Sequence, residues 1–142
     1  MYYLAYGSNM VSSQMAIRCP SASIVGVGCL HRYAFQINSR GVATVIPDVT
    51  KQVYGLLWDI PPQEMRTLDR YEGVKVGLYQ RATVTIELSS EQQVEALTYI
   101  ATDQAVGSPR PSYMESIVAA AKQYRLPPAY IRELTTWLLT DE

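Results

Sequence analysis

Two short segments hold the residues whose types and spacing suit chemistry. The first is Tyr6-Gly7-Ser8-Asn9. Its glycine lets backbone come close to a ligand. Free N–H groups at a following helix start would make an anion site for a carboxylate or a phosphate. The segment is too short for a nucleotide-phosphate loop and lacks that loop's lysine. On the residues alone, a strand-to-helix turn with Ser8 or Asn9 as N-cap is the plainer reading. The second segment is Leu68-Asp69-Arg70-Tyr71-Glu72-Gly73. The spacing puts Glu72 just past a helix end, with Gly73 as a left-handed capping residue. A carboxylate there opposes the helix dipole, which raises its energy and its pKa. Such a placement disfavours stability and is one mark of a site. The plainer reading is a solvated glutamate tethered near Arg70 or Lys75. Charge position alone leaves both readings open. Tyr79, at a strand entry after Gly77-Leu78, and Tyr113, after a Pro-rich loop, are further candidates that read as well as core or rim tyrosines.

Other chemistries find less support. His31 is the only histidine, and Cys29 lies two residues before it. On a strand these two share a face, but no nucleophile-elbow sequence accompanies them. Two cysteines without a C-x-x-C and beside one histidine disfavour both a disulfide framework and a zinc site. Asp48, Asp59 and Asp69 are too dispersed for a metal cluster. The expectation is an activity that needs no metal and no cofactor. The net charge of -1 gives no field to recruit a polyanion, so no nucleic-acid partner is expected. No apolar run approaches the roughly 18 residues of a membrane span, and no signal peptide is visible. No membrane partner and a cytoplasmic location are therefore expected. The chain has eleven tyrosines against one phenylalanine, a bias that suits a polar pocket with ring walls.

These residues need elements to position them. The 142 residues suit one domain, 1–142, with a core of its own. Tyr2 to Tyr6 reads as a first strand. Met10, Gln14 and Ile17 have rough helical spacing, ended by Cys19-Pro20. Ile24–Val27, Tyr33–Ile37, Val42–Ile46 and Val53–Ile60 read as strands separated by glycines and Pro47. Pro61-Pro62 opens a helix through about Arg70. Arg81–Leu88 alternates as a half-buried strand, with Val94–Ala101 as its antiparallel partner. Tyr113, Ile117, Ala121 and Tyr124 mark one helix; Tyr130, Leu134, Trp137 and Leu138 mark another. Strands, a central helix, more strands and two final helices predict an α+β fold rather than βαβ units.

Taken together and in order, these motifs resemble the γ-glutamylcyclotransferases and their AIG2-like and BtrG-like relatives. The likeness runs through Tyr3-Leu4-Ala5-Tyr6-Gly7-Ser8-Asn9-Met10, Val53-Tyr54-Gly55-Leu56-Leu57-Trp58, Leu68 to Val74 with Tyr79, Ser108-Pro109-Arg110-Pro111-Ser112-Tyr113 and Leu126-Pro127-Pro128-Ala129-Tyr130. It implies a small mixed β-barrel with flanking helices. It implies Glu72 as the acid–base residue, Tyr6, Gly7, Ser8 and Asn9 as a substrate-anchoring loop, and Tyr79 and Tyr113 as pocket tyrosines. The segment from Asn38 to Ala43 is shorter than in the animal enzymes, so their substrate preference does not transfer directly.

The implied reaction is a cyclising amide cleavage. The α-amine of a γ-glutamyl compound attacks its own γ-carbonyl, releasing 5-oxoproline and a free amine or amino acid. The nucleophile lies in the substrate, so one carboxylate can serve as base and then acid. The loop could hold the α-carboxylate or polarise the γ-carbonyl, and the sequence leaves that choice open. The expected partner is thus a small γ-glutamyl substrate. The alternative is a non-catalytic module that binds or senses a small metabolite on the same fold; an interaction protein without a pocket is a third reading. Trp137 would suit either the core or the face of a homodimer.

Overall fold

The computed structural model describes residues 1–140. Five strands close into one barrel in the order β1-β3-β2-β4-β5. They are β1 (Tyr2–Ala5), β2 (Ser23–Ile37), β3 (Ala43–Asp59), β4 (Tyr79–Leu88) and β5 (Gln93–Ala101). All neighbours are antiparallel except β1 and β5, which meet in parallel at Tyr3 and Leu97. Four helices flank the barrel: α1 (Ser12–Arg18), α2 (Pro62–Tyr71), α3 (Tyr113–Gln123) and α4 (Pro128–Thr136). Short 3-10 turns precede α1 and follow α4. The expected mixed barrel with flanking helices is therefore the observed fold.

The sequence signals explain most of it. On β4, Val84 and Ile86 are buried while Thr83 and Thr85 are exposed, as strict alternation requires. Two buried threonines tie the closing seam. Thr98 Oγ1 donates to the Leu4 carbonyl at 2.9 Å, and Thr44 Oγ1 accepts from Ala101 N–H at 3.0 Å. These bonds supplement the short β1–β5 pairing and leave no polar atom of either threonine hydroxyl stranded in the core.

Three expectations need correction. The four strands read between Ile24 and Ile60 are two long ones of 15 and 17 residues. Gly26 and Pro47 there flank bulges rather than strand ends, whereas Gly41 does lie in the turn that separates the two long strands. Tyr33 pairs with Pro47 and His31 with Gln52, so residues 48–51 bulge opposite Arg32 alone. A bulge needs no ladder donor, and so accommodates proline. In α1, Ile17 does not face the core; it is 77% exposed, whereas Met15 is fully buried. Helix α1 starts at Ser12 with Val11 as N-cap, so neither Ser8 nor Asn9 caps it. Trp137 turns inward, its ring 6.3 Å from that of Phe35. No helix among the described residues is long and apolar enough to cross a membrane.

Candidate active site

Helix α2 ends in a way that fixes Glu72. Gly73 N–H bonds the Arg70 carbonyl and Val74 N–H bonds the Asp69 carbonyl, a Schellman arrangement. It requires a left-handed residue at Gly73, whose φ is +67°; an added Cβ there would come within 2.8 Å of Leu78 Cδ1. Glu72 itself has near-helical dihedrals and donates its N–H to the Leu68 carbonyl at 2.9 Å. Its side chain lines a slot shared with the β1 loop and makes no ion pair with Arg70 or Lys75. Arg70 bonds Thr67 instead.

There Glu72 meets the β1 loop. Tyr6, Gly7, Ser8, Asn9, Glu72, Tyr79 and Tyr113, all expected site residues, line a single slot together with Tyr3, Ala43 and Tyr99. The slot has a volume of about 30 Å³, room for about two waters. Its floor is buried: Tyr3, Tyr6, Asn9 and Tyr99 are each less than 7% exposed. The 3-10 turn bonds run from Met10 and Val11 N–H to the Gly7 and Ser8 carbonyls, and use neither the Ser8 nor the Asn9 N–H. The glycine is needed on steric grounds, since a Cβ at Gly7 would lie 3.2 Å from Ala43 Cβ and 3.6 Å from Tyr113 Oη.

Asn9 does more than the sequence suggested. Its Nδ2 donates to Glu72 Oε1 at 3.1 Å and to Tyr3 Oη at 2.9 Å. Its Oδ1 accepts from Gln14 Nε2 at 3.0 Å and Arg18 Nη1 at 2.9 Å. Burial holds the Glu72 carboxyl above its ordinary pKa; the Arg18 charge and the Asn9 hydrogen bond partly oppose that shift. The sequence reading ascribed the rise to the helix end, but burial is the larger cause. Among the described residues no cation forms a direct ion pair with Glu72. A carboxyl raised in this way takes up a proton more readily than an exposed glutamate, which suits a group that accepts a proton and returns it.

The tyrosines have defined work. Tyr79 Oη donates to the Ala43 carbonyl at 2.6 Å, and Ala43 N–H donates to Tyr113 Oη at 3.0 Å. Both hydroxyls therefore clamp the first residue of β3. Tyr99 Oη donates to Asp69, which Arg81 holds with two bonds from one guanidinium edge, Nε to Oδ1 and Nη2 to Oδ2, each 2.8 Å. The Tyr99 carbonyl accepts from Tyr6 Oη. Burial raises the pKa of Tyr3, Tyr6, Tyr79 and Tyr99 above the usual tyrosine value, so these rings stay neutral and act as hydrogen-bonding walls. Tyr3, Tyr99, Gln14 and Arg18 escaped the sequence reading. The i, i+4 spacing of Gln14 and Arg18, which puts both on one helix face, was the available signal.

The other candidate constellations remain apart from this site. Cys29 Sγ lies 4.0 Å from His31 Nδ1, and His31 Nε2 lies 2.8 Å from Glu87 Oε1. This line of three resembles a nucleophilic triad, but Cys29 is only 4% exposed and burial pushes its thiol up, which keeps it protonated and inert. His31 and Glu87 border a larger open cavity of about 1090 Å³, where Lys51 faces Glu133 at 3.6 Å. Asp48, Asp59 and Asp69 bind Thr50, the N-terminal amine and Arg81, and form no cluster.

Comparison with known proteins bears on the family and the fold. Residues 52–134 match the family model described as the AIG2-like family. The chain belongs to the AIG2-like family. The matched stretch includes α2, Glu72 and Tyr79. The human protein named γ-glutamylcyclotransferase is 29% identical over 142 residues, covering 93% of this chain and 76% of its own length. The bovine protein of the same name is 28% identical over 144 residues, covering 94% and 77%. A solved structure titled γ-glutamyl cyclotransferase superimposes with a TM-score of 0.90 at 28% identity, covering 95% of this AIG2-like chain and 86% of the other.

Proposed function

We propose that this protein is a γ-glutamylcyclotransferase-type enzyme, with Glu72 as its general base and then its general acid. The observation that carries the reading is the half-buried Glu72 carboxyl, set by the α2 cap into a tyrosine-walled slot, unpaired by any direct cation and held by Asn9. Relatives named for the reaction support it.

The step balances within the substrate and one carboxylate. Glu72 takes a proton from the α-ammonium of a γ-glutamyl compound. The freed amine attacks the γ-carbonyl carbon and closes a five-membered ring, and its nitrogen sheds a second proton that ends on the released amine as its ammonium. The bond to the leaving nitrogen breaks as Glu72 returns a proton to it. 5-Oxoproline and an amine or amino acid depart, and Glu72 is ionised again. Proton transfer of this kind contributes about 10²–10⁴-fold. Holding the chain in a ring-closing pose contributes more, because effective molarities of well-oriented groups reach about 10⁵–10⁸ M. The Ser8 and Asn9 N–H groups are the donors that would hold the α-carboxylate or the developing oxyanion. Gly7, Tyr6, Tyr79 and Tyr113 would shape the cleft around the glutamyl chain. A slot of about 30 Å³ is smaller than that chain, so productive binding widens it.

The test is incubation with a panel of γ-glutamyl amino acids, γ-glutamyl amines and larger γ-glutamyl compounds, with 5-oxoproline measured by mass spectrometry. Release from at least one class is expected. Thermal stabilisation by a panel member without any 5-oxoproline would overturn the enzyme reading and favour a metabolite sensor.

A further inference from the structure

Among the described residues the Asn9 carboxamide makes the one side-chain hydrogen bond to Glu72, and its orientation decides what Glu72 meets. Flipped by 180°, it would present an oxygen to a carboxylate in place of an NH2. We propose that Arg18 and Gln14 are positioning residues of the Glu72 site: together they fix the Asn9 carboxamide so that it donates to Glu72. The inference rests on Glu72 being the proton-transfer group.

The geometry argues it from donor inventory. A guanidinium has donors only, so the Asn9 atom 2.9 Å from Arg18 Nη1 has to be oxygen. Gln14 Nε2 reaches the same oxygen at 3.0 Å, while also bonding Ser8 Oγ at 3.1 Å. The two Nδ2 protons are then directed at Tyr3 Oη and Glu72 Oε1. Asn9 is 3% exposed and every donor and acceptor site on its side chain is used, so water has no part in choosing the orientation. Arg18 is itself held. Its guanidinium carbon sits 4.4 Å above the centre of the Tyr71 ring, on the residue before Glu72. One side chain of α1 thus spans to the last turn of α2 and, through Asn9, to the carboxyl beyond it.

The titratable groups facing Glu72 are Tyr3 and Tyr6 from β1 and its loop, Tyr79 from β4, Tyr99 from β5, Tyr113 from α3 and Arg18 from α1. Of these only Arg18 carries charge at neutral pH. Removing it takes away the fixed carboxamide and the single positive charge at once, and both losses disfavour the ionised form of Glu72.

Three variants separate the effects, each checked for folding by circular dichroism. In Arg18→Met, kcat for 5-oxoproline release is expected to fall about 10–10²-fold with KM within about threefold. The Glu72 carboxyl, followed by carbon-13 NMR, is expected to titrate at higher pH than in the parent. Arg18→Lys, which restores a charged donor, is expected to recover the titration midpoint and most of kcat. Gln14→Leu keeps the charge but removes one bond to Asn9, and is expected to give a smaller loss of kcat. If Arg18→Met is unstable, Gln14→Leu still reads the same network. A parental kcat and a parental Glu72 midpoint in both Arg18→Met and Gln14→Leu would overturn the inference. A parent protein that releases no 5-oxoproline would overturn the assigned reaction, and the NMR titration would still decide whether Arg18 and Gln14 control the carboxyl.

Discussion

Tyr79→Phe removes one hydroxyl and leaves its ring in place. The lost bond runs from Tyr79 Oη to the Ala43 carbonyl at 2.6 Å, and Ala43 is 3% exposed. No cavity forms, so the whole effect is that of a buried acceptor losing its partner. That costs about 1–3 kcal/mol. For a chain of this length each kcal/mol moves the midpoint by about 3 °C, so Tm should fall by about 3–9 °C. The Tyr79 hydroxyl titrates far above neutrality because it is buried. It therefore supplies a hydrogen bond and no proton, and kcat should change by less than about tenfold. Calorimetry, with 5-oxoproline release measured on the same sample, checks both numbers. Tyr113→Phe removes the acceptor of Ala43 N–H, and the two changes should couple because they act on one residue. An unchanged Tm would mean that the Ala43 wall does not depend on Tyr79. A kcat loss of about 10³-fold would make Tyr79 a proton donor and refute the division of labour drawn here.

Gly7→Val should weaken substrate affinity about tenfold or more, or ~1.4 kcal/mol, because its methyl groups enter the slot toward Ala43 and Tyr113; calorimetric titration reads it, and undiminished affinity would remove the Gly7 loop from the site. The buried carboxyl also makes stability depend on pH. Glu72 has its folded pKa raised above the unfolded value of about 4.3. Its contribution is fully present below that value and is lost as pH rises through the folded pKa, since the folded chain there holds a proton that the unfolded chain releases. Glu72→Gln abolishes this dependence. The Tm of Glu72→Gln minus that of the parent should therefore rise as pH climbs from about 4 through the raised folded pKa, and a flat difference would contradict the buried carboxyl.

Much of this architecture was legible in the chain. The β4–β5 hairpin followed from alternation, and α2 from Pro61-Pro62 at its start and Gly73 at its end. The Glu72 placement followed too, because a helix stop is written locally in a left-handed glycine. The long β2–β3 ribbon was not legible, because glycine and Pro47 mark bulges as readily as ends, and only pairing to a partner strand decides between them. The α1 face was misread for a related reason. Ile17 is apolar, yet the barrel lies on the Met15 side, and three apolar positions in a short helix do not settle which face is covered. The site residues Tyr3 and Tyr99 meet across the β1–β5 seam, their ring centres 5.5 Å apart. A contact made only by barrel closure leaves no trace in local spacing. Asn9 was noticed for its backbone, whereas its side chain makes the contact to Glu72, because Gln14 and Arg18 converge on it from a helix whose start lay two or three residues further along than an Asn9 or Ser8 cap implied.

The central claim is that Glu72 moves the protons of a substrate that attacks itself. Glu72→Gln tests it most directly, since the amide keeps the size of the side chain and an oxygen to accept from Asn9. The measurement is 5-oxoproline release by Glu72→Gln, beside the binding affinity of the same γ-glutamyl substrate. The account predicts release reduced by about 10²–10⁴-fold with affinity changed by less than about threefold, or ~0.7 kcal/mol. Release within about tenfold of the parent protein would contradict it.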